Sequence, residues 1–470
     1  MLRSVMLIGL LLLMTAAGCS AAGQGSIPPP VTGTAPTDLA TYGSSPQAEI
    51  SPTPVPDLPV KVISQAWVTD VNGHLHLVGE IRNEAGQGVE QVNLTLVVTD
   101  AAAASLLRSD SGEPVPEVVF SPLITRLADG QSAPFDYPLP PGSSMPAEAN
   151  VFVSGYQPSS AELMALQVEN LQIMSAPGGE AVMVGELVNN SPNAVNVLSV
   201  AALLRDSNGG PLSAGSAAQG VTPGLLLAAG DANQLDRAPF KIPFSAALPP
   251  GATWQVYSDA ASGNPVETTT FAIDQASLFY TDARGGAHLI SEIKNTSERA
   301  FSVQILAGLY GSTGSVMDVS RYILPVDLQP GESIPFDAAG FDLLNGRADQ
   351  LAKLDHFTIQ VDPAQMLPSQ RAWVTLQPEG AQAVSGGQGS WTFSGSVTNT
   401  TGADLQRIVV IATLKSRSTG ILAATSSAVL ENPAGAILPG IRMDYSIEVL
   451  ADPNDRAVLD PGVKVYASGN

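Results

Sequence analysis

Two histidines, His74 and His76, come closest to a chemical site in this chain by residue type and spacing. They occupy alternate positions of one predicted strand, so both imidazoles point the same way and could supply two zinc ligands. Neither a third histidine nor a cysteine lies near them in sequence. An exposed polar strand face is therefore the preferred interpretation, with a zinc site as the alternative.

Nucleophilic and phosphate-handling chemistry has little support in the sequence. The chain has one cysteine, Cys19, and it contains no G-x-S-x-G, H-E-x-x-H or phosphate-loop phrase. The sequence thus predicts no catalytic residues, no metal and no cofactor. An enzyme would need acids or histidines from separate parts of the chain to converge on a cleft, which spacing alone does not reveal.

The charge balance disfavours further classes of function. With 43 acidic and 21 basic residues the formal net charge is −22, which argues against nucleic-acid binding and against electrostatic adhesion to anionic lipid. Calcium between domains would need three or four clustered carboxylates. The predicted connections hold only Glu162, Asp259, Glu267 and Asp362, so a solvated acidic surface is preferred over junctional calcium.

The N-terminal residues indicate a compartment. Residues 5–14 form an apolar run with the length of a signal-peptide core, too short to span a bilayer. Residues 15–19 then resemble the bacterial lipobox, with Ala16 in place of the usual leucine. The resemblance implies that residues 1–19 are a lipoprotein signal peptide and that Cys19 is lipidated and becomes the mature N-terminus.

Residues 20–60 follow as a predicted tether. They are rich in Ser, Thr, Gly and Pro, with runs such as Pro28-Pro29-Pro30. Such a segment buries too little apolar surface to offset its chain entropy. We therefore expect a disordered stretch that holds the rest of the protein away from the membrane.

One short phrase recurs four times in the remaining chain, as G-E-I-R-N, G-E-L-V-N, S-E-I-K-N and G-S-V-T-N, ending at Asn83, Asn189, Asn295 and Asn399. These asparagines are 106, 106 and 104 residues apart, which is a domain-sized period. We predict repeat 1 at residues 61–157, repeat 2 at 165–258, repeat 3 at 270–362 and repeat 4 at 370–468. Their short connections predict a semi-rigid chain of beads with hinge motion at each junction.

The pattern within each repeat is that of β-strands, with apolar and polar residues alternating and turn clusters between the runs. Opening strands are predicted at Val62 to Val68, Leu166 to Ile173, Phe271 to Tyr280 and Ala372 to Leu376. Closing strands are predicted at Val151 to Val153, Trp254 to Tyr257, Phe357 to Val361 and Val463 to Tyr466. Roughly seven short strands per repeat predict an all-β fold of four tandem immunoglobulin-like β-sandwich domains.

The recurring residues receive structural rather than ligand-binding roles. Each repeated asparagine ends a strand before a polar turn, where its side chain can hydrogen-bond nearby backbone or tolerate a positive φ. A second phrase, L-x-x-G or L-P-G, predicts a turn with a core anchor and recurs at residues 127–130, 227–230, 328–331 and 438–440. Trp67 and Trp373 occupy similar opening strands, which favours core or interface packing over sugar stacking.

Together these phrases resemble the bacterial extracytoplasmic modules called FxLYD domains. The nearest fragments are Leu309-Tyr310-Gly311 and Leu204-Arg205-Asp206, while the phenylalanine position is filled by Leu96, Ala202, Ala307 and Ala412. The resemblance implies a fold and a secreted or lipid-anchored location. It implies no reaction, because such domains share no catalytic residues.

We therefore expect a lipid-anchored protein on the extracytoplasmic face of the cell membrane or envelope that serves in interaction, adhesion or envelope scaffolding. Its expected partners are the membrane, through the N-terminal lipid, and an envelope protein or a glycan. The alternative is a protein that captures a glycan or solute for a transporter or enzyme. A concave apolar pocket in one repeat only would favour that alternative.

Overall fold

The computed structural model describes residues 58–469, apart from 161–162, 165, 218, 221–225, 228–235, 264–269, 362–366, 370, 434 and 456–457. All of the described residues belong to one compact unit, Val55–Asn470. The predicted signal peptide, Cys19, nearly all of the tether and most of the L-x-x-G phrase of repeat 2 lie outside the described residues. Among the residues that are described, no helix is long and apolar enough to cross a membrane.

The strands of the first two repeats follow the predicted β pattern. Repeat 1 contains β1 (Val60–Thr69), β2 (Leu75–Asn83), β3 (Val89–Thr99), β4 (Val118–Phe120), β5 (Ser132–Pro138) and β6 (Glu148–Pro158). Repeat 2 contains β7 (Gln167–Ser175), β8 (Glu180–Val188), β9 (Val195–Arg205), β10 (Pro211–Ser216), β11 (Gln219–Gly220), β12 (Leu226–Leu227), β13 (Arg237–Ala247) and β14 (Thr253–Ser262).

The last two repeats continue in the same way. Repeat 3 contains β15 (Phe271–Ile273), β16 (Leu278–Thr281), β17 (Ala287–Asn295), β18 (Phe301–Ser302), β19 (Gln304–Gly311), β20 (Val316–Ile323), β21 (Ser333–Asp337), the short helix α1 (Ala348–Leu351) and β22 (Leu354–Val361). After β23 (Leu367–Pro368), repeat 4 contains β24 (Trp373–Leu376), β25 (Pro378–Gly387), β26 (Ser390–Thr398), β27 (Arg407–Ser416), β28 (Leu422–Leu430), β29 (Arg442–Leu450) and β30 (Leu459–Ser468). The all-β prediction is confirmed.

Each repeat has two main antiparallel sheets. One contains the strand that leads to the repeated asparagine, and we call it the Asn sheet: β1-β2-β5, then β11-β13-β8-β7, then β15-β17-β16 with β21 on β17, then β25-β26-β29. The other is called the second sheet: β4-β3-β6, then β10-β9-β12 with β14 on β9, then β20-β19-β22, then β24-β30-β27-β28. Antiparallel sheets paired in this way form sandwich-type domains.

Two of the predicted opening strands differ from the structure. The strand predicted at Phe271 to Tyr280 is interrupted between β15 and β16. The Asp274 side chain accepts a hydrogen bond from the backbone N–H of Ala276, and the chain turns there. The strand predicted at Ala372 to Leu376 pairs with β30 in the second sheet, and β25 occupies the opening position beside β26. Trp67 pairs with β2, so the predicted equivalence of Trp67 and Trp373 is wrong.

In every repeat, an aromatic residue on the neighbouring strand lies opposite the first residue of the repeated phrase. Phe135, Phe240, Phe336 and Tyr445 are paired across the sheet with the first residue of the phrase. A Cβ at Gly79 would lie 2.4 Å from the Phe135 ring and 2.3 Å from the carbonyl of Ser64. The glycine of the phrase therefore makes room for the ring, which lies at the centre of the sandwich.

The two recurring phrases of the sequence meet in space through the asparagine. Asn83, which is fully buried, donates from Nδ2 to the carbonyls of Gln87, Leu127 and Ala128 at 2.8, 3.1 and 3.0 Å, and its Oδ1 accepts the Ala85 N–H at 3.0 Å. The side chain thus joins its own turn to the L-x-x-G turn.

The other three asparagines make similar bonds within their own repeats. Asn295 donates to the carbonyl of Leu328, and Asn399 donates to the carbonyl of Ile437. Asn189 donates to the carbonyl of Asn193. None of these positions has a positive φ, so hydrogen bonding accounts for the asparagine.

Substitution of Tyr445 in repeat 4 is expected to stabilise the protein. The Tyr445 hydroxyl is buried without a hydrogen-bond partner, whereas the other repeats carry phenylalanine there. Because a buried unsatisfied polar group costs about 1–3 kcal/mol, we expect Tyr445→Phe to raise the free energy of unfolding by roughly 1–2 kcal/mol. The midpoint of urea unfolding measures this change.

Tyr280→Phe is the matched control, because the Tyr280 hydroxyl donates to the Leu450 carbonyl at 2.6 Å. This substitution should lower the midpoint. A lower midpoint for Tyr445→Phe as well would show that the Tyr445 hydroxyl has a partner after all.

Candidate functional site

The junctions between repeats are the most elaborate polar sites in the described part of the chain. At each one, the outer face of an Asn sheet is covered by an edge strand from the second sheet of the next repeat. Strand β10 lies on β1, β2 and β5, β20 lies on β8 and β13, and β28 lies on β17 and β21.

Apolar residues are shared across every junction. Ala201, Leu203 and Ala214 of repeat 2 belong to the buried cluster of repeat 1. Leu306, Val316 and Val319 of repeat 3 join the cluster of repeat 2, and Val409 and Ile411 of repeat 4 join that of repeat 3. This differs from the predicted chain of beads with hinges, because separating two repeats would expose apolar surface that is now buried.

The glutamate of the repeated phrase is the main polar contact of the first junction. Glu80 is 5 % exposed and points away from the core of its own repeat, toward repeat 2. Its Oε1 accepts the Tyr257 hydroxyl at 2.8 Å, and its Oε2 pairs with Arg205. Burial and the hydrogen bond that Tyr257 donates to Glu80 raise the pKa of Tyr257 well above its usual value, so this tyrosine remains a donor.

The equivalent glutamates act at the second and third junctions. Glu186 accepts the Tyr310 hydroxyl of repeat 3 at 2.9 Å and the amide of Asn170 at 2.6 Å. Glu292 forms an ion pair with Lys415 of repeat 4. One position of the repeated phrase therefore supplies the acceptor at all three junctions.

The sequence contained a signal for these contacts that the strand pattern did not reveal. Arg205 and Lys415 follow the asparagine of their own repeat by 16 residues, and Tyr310 follows its asparagine by 15. Repeat 1 has Thr99, 16 residues after its asparagine. Repeat 4 has Ser396 where the other repeats have the glutamate of the phrase.

The outer face of β26 is accordingly unlike those of β2, β8 and β17. Its outward residues are Thr392, Ser394, Ser396 and Thr398, whereas the corresponding face of each earlier strand carries the glutamate and at least one large apolar side chain. Thr392 is exposed, whereas Ser396 is 1 % exposed and its hydroxyl has no hydrogen-bond partner among the described residues. Repeat 4 therefore lacks the carboxylate that the phrase supplies in the other three repeats.

One candidate calcium ligand has another role at the first junction. Asp259, which is 4 % exposed, receives two hydrogen bonds from the guanidinium of Arg126, at 3.0 and 2.6 Å. This two-point contact occupies both carboxylate oxygens. The other candidates, Glu162, Glu267 and Asp362, lie outside the described residues.

The second junction has a buried ion pair of its own. Lys241 Nζ donates to Asp318 Oδ1 at 2.9 Å, and Asp318 is fully buried. Asp318 also accepts the backbone N–H groups of Val319 and Leu343, both at 2.8 Å. Three donors therefore satisfy this carboxylate in place of water.

His74 and His76 differ from their predicted arrangement. His74 precedes β2 and contacts Asp70 Oδ2 at 3.2 Å, whereas His76 lies in β2 with a side chain only 13 % exposed. The Nδ1 of His76 is 2.7 Å from Asp136, and its Nε2 is 3.6 Å from Asp70. The predicted exposed strand face is therefore wrong for His76, which lies between two aspartates.

Repeat 3 contains the same constellation, which the sequence analysis missed. His288 Nδ1 is 2.7 Å from Asp337, and its Nε2 is 3.2 Å from Asp282. Its ring stacks on Tyr280 with centroids 5.0 Å apart. The signal was present in the sequence, because T-D, H-L and P-F-D recur at matching places in repeats 1 and 3.

The two clusters favour protonated histidine. The hydrogen bond to Asp136 raises the pKa of His76, against the opposing effect of burial, and Asp70 adds to the increase. At His288 burial opposes the charged form, but Asp337 and Asp282 outweigh it and raise the pKa. A histidine held by carboxylates at both ring nitrogens offers no free nitrogen to a metal or to a substrate proton.

Metal binding gains no support elsewhere in the described residues, where no group of three or more histidine, cysteine or acidic side chains is arranged to hold a metal ion. The predicted site residues also remain apart from one another. Each repeated asparagine serves its own repeat, and Cys19 lies outside the described residues.

Comparison with known proteins gives no family. No protein-family profile matches the chain, and no curated protein matches it. Among solved structures, the native conformation of Escherichia coli alpha-2-macroglobulin aligns with 87 % of this chain at 9 % identity and a TM-score of 0.12. The chain spans 26 % of the length of that protein, and a similarity at this level assigns neither fold nor function.

Substitution of Glu186 is expected to weaken the second junction. Glu186 accepts the Tyr310 hydroxyl with one carboxylate oxygen and the Asn170 amide with the other. In Glu186→Gln one of these oxygens becomes an NH2 group that faces a donor, so we expect the free energy of unfolding to fall by about 1–3 kcal/mol. Hydrogen–deuterium exchange should become faster in β8 and β19. Glu113→Gln, at an exposed loop residue, is the matched control and should leave both observations unchanged.

Unchanged exchange in β8 and β19 of the Glu186→Gln protein would contradict a role for this glutamate in joining repeats 2 and 3.

The aspartate–histidine clusters predict a pH dependence. A histidine pKa raised on folding contributes stability that is fully present below the unfolded value of about 6.5 and is lost as pH rises through the folded pKa. We expect the unfolding midpoint to fall in that window. In the His76→Gln/His288→Gln protein, this part of the fall should disappear.

His356→Gln, at a histidine outside the two clusters, provides the control. The imidazole resonances can be followed by NMR across the same pH range. Titration of His76 and His288 at or below pH 6.5 would contradict the arrangement.

Proposed function

We propose that this protein is a lipid-anchored, extracytoplasmic scaffold of the bacterial envelope, which presents its immunoglobulin-like repeats to another envelope component as one joined unit. The observation that carries the proposal is the set of three junctions. Each buries an apolar sheet face and engages a glutamate from the repeated phrase, which is buried at the first two junctions and partly exposed at the third. Joints of this kind suit a protein whose task is to hold surfaces in a fixed relation.

The polar contacts at the junctions support the same function. Breaking a buried ion pair is costly, because it leaves an unpaired charge in the protein interior. Arg205 with Glu80 and Lys241 with Asp318 are such pairs, and both link successive repeats. They favour one mutual arrangement of the repeats over many.

The membrane location rests on the N-terminal sequence. The lipobox resemblance at residues 15–19 supports lipidation of Cys19, and the Pro- and Ser-rich residues 20–60 support a tether between the lipid and the repeats. The lipoprotein and FxLYD-like parts of the proposal are supported by sequence resemblance.

Site-specific cross-linking in living cells tests the proposal. Deleting a repeat would expose the apolar surface that it shares with its neighbours, so single substitutions are preferable. A photo-cross-linking amino acid replaces an exposed residue in each repeat: Val119, Trp254, Ile323 or Val384. We expect one or two positions to yield a defined envelope protein and the others to yield none.

Cys19→Ala is the control for the anchor. The variant should leave the membrane fraction, and its cross-link should weaken because the protein is no longer held beside its partner. Cross-links absent at all four positions, together with retention of a glycan or solute, would overturn the scaffold function and favour the capture alternative.

A further inference from the structure

A polar cleft of about 610 Å³ lies at the end of repeat 4, and it belongs to none of the contacts described so far. Arg371, Gln406, Arg407, Glu431 and Ser468 are among the residues that line it. The remaining lining consists of Asn432 and two glycines, so no large apolar side chain contributes. A site of this composition suits a hydroxylated, charged ligand better than an apolar one.

Two lining residues, Arg407 and Ser468, form a row across one sheet with Trp373, which lies beside the cleft. Strand pairing places Trp373 opposite Ser468, and Ser468 opposite Arg407, on adjacent strands β24, β30 and β27. Residues directly opposite each other in a sheet point to the same face. The guanidinium of Arg407 accordingly lies over the Trp373 ring, 5.4 Å from its centroid.

The tryptophan under Arg407 is itself held in place. Its Nε1–H donates to Asp327 Oδ2 at 2.9 Å, and the same carboxylate oxygen accepts the hydroxyl of Ser369 at 2.5 Å. Asp327 belongs to repeat 3, so the third junction fixes the position of the ring. Stacking on a fixed ring restricts the guanidinium and lowers the entropy lost when it binds a ligand.

The two arginines of the cleft remain available for an anion. Within the part of the chain that the structure describes, neither Arg371 nor Arg407 forms an ion pair with a carboxylate. Asp327, the acid beside Trp373, is occupied by its two donors. Glu431 is the one acidic residue of the lining, and it is exposed.

We propose that this cleft binds an acidic saccharide, such as a uronic-acid unit of an envelope or extracellular polysaccharide. The guanidinium groups of Arg407 and Arg371 hold the sugar carboxylate, since a planar guanidinium matches a carboxylate with two parallel hydrogen bonds. The side-chain amide of Gln406 serves the sugar hydroxyls. Glu431 at the cleft repels a group that carries up to two charges, such as phosphate, more strongly than it repels a single carboxylate.

Titration calorimetry with the full chain tests the inference. The probes are a galacturonic-acid trimer, the neutral galactose trimer and inorganic phosphate. We expect the acidic trimer to bind, the neutral trimer to bind at least tenfold more weakly, and phosphate to give no measurable heat. Arg407→Gln and Arg371→Gln should each weaken binding of the acidic trimer by tenfold or more.

Two further variants make the result interpretable. Arg407→Lys keeps the charge but loses the planar group, and it should recover only part of the affinity. Arg442→Gln changes an exposed arginine of β29 and should bind like the unmodified protein. Equal unfolding midpoints for all variants show that they are folded.

Three results would overturn the inference: no heat with the acidic trimer, equal binding of the neutral trimer, or equal binding of phosphate, which would indicate a simple anion site. The inference goes beyond the scaffold function, and the two fail separately. Loss of saccharide binding leaves the cross-links unaffected, and absence of cross-links leaves the calorimetry unaffected.

Discussion

The strand of the repeated phrase is covered on both faces in repeats 1 to 3, and the rest of the structure adjusts to this constraint. In β2, β8 and β17, alternate residues face the core of their own sandwich and the next repeat. A polar side chain that is buried on such a strand must find its partners within the protein, because water does not reach it. The asparagine finds them in two turns of its own repeat, and the glutamate finds them in the next repeat.

This division explains which features could be predicted from the sequence. The asparagine acts on nearby backbone, so its role followed from residue type and from its place before a polar turn. The glutamate acts on Tyr257, which is 177 residues away. Strand alternation gives the face on which Glu80 lies, but it does not reveal that another repeat covers that face. For the same reason His76 was expected at an exposed surface.

Trp373 shows a second limit of pattern-based prediction. It stands in the phrase A-W-V-T, as Trp67 does, yet the two strands belong to different sheets. Short β-strands have similar local composition wherever they pair, because their sequences reflect burial more than a particular neighbour. Only the pairing of β24 with β30 places Trp373 beside Arg407. The candidate saccharide cleft could therefore not have been derived from spacing.

The three junctions use the same glutamate position but different donors, which bears on whether the repeats are interchangeable. Repeat 2 supplies Arg205 and Tyr257, repeat 3 supplies Tyr310, and repeat 4 supplies Lys415. A repeat moved to another place in the series would bring its own donors to a glutamate that is packed against a different set. The order of the repeats is therefore part of the structure, and shuffling them would disturb each contact even though every repeat kept its own fold.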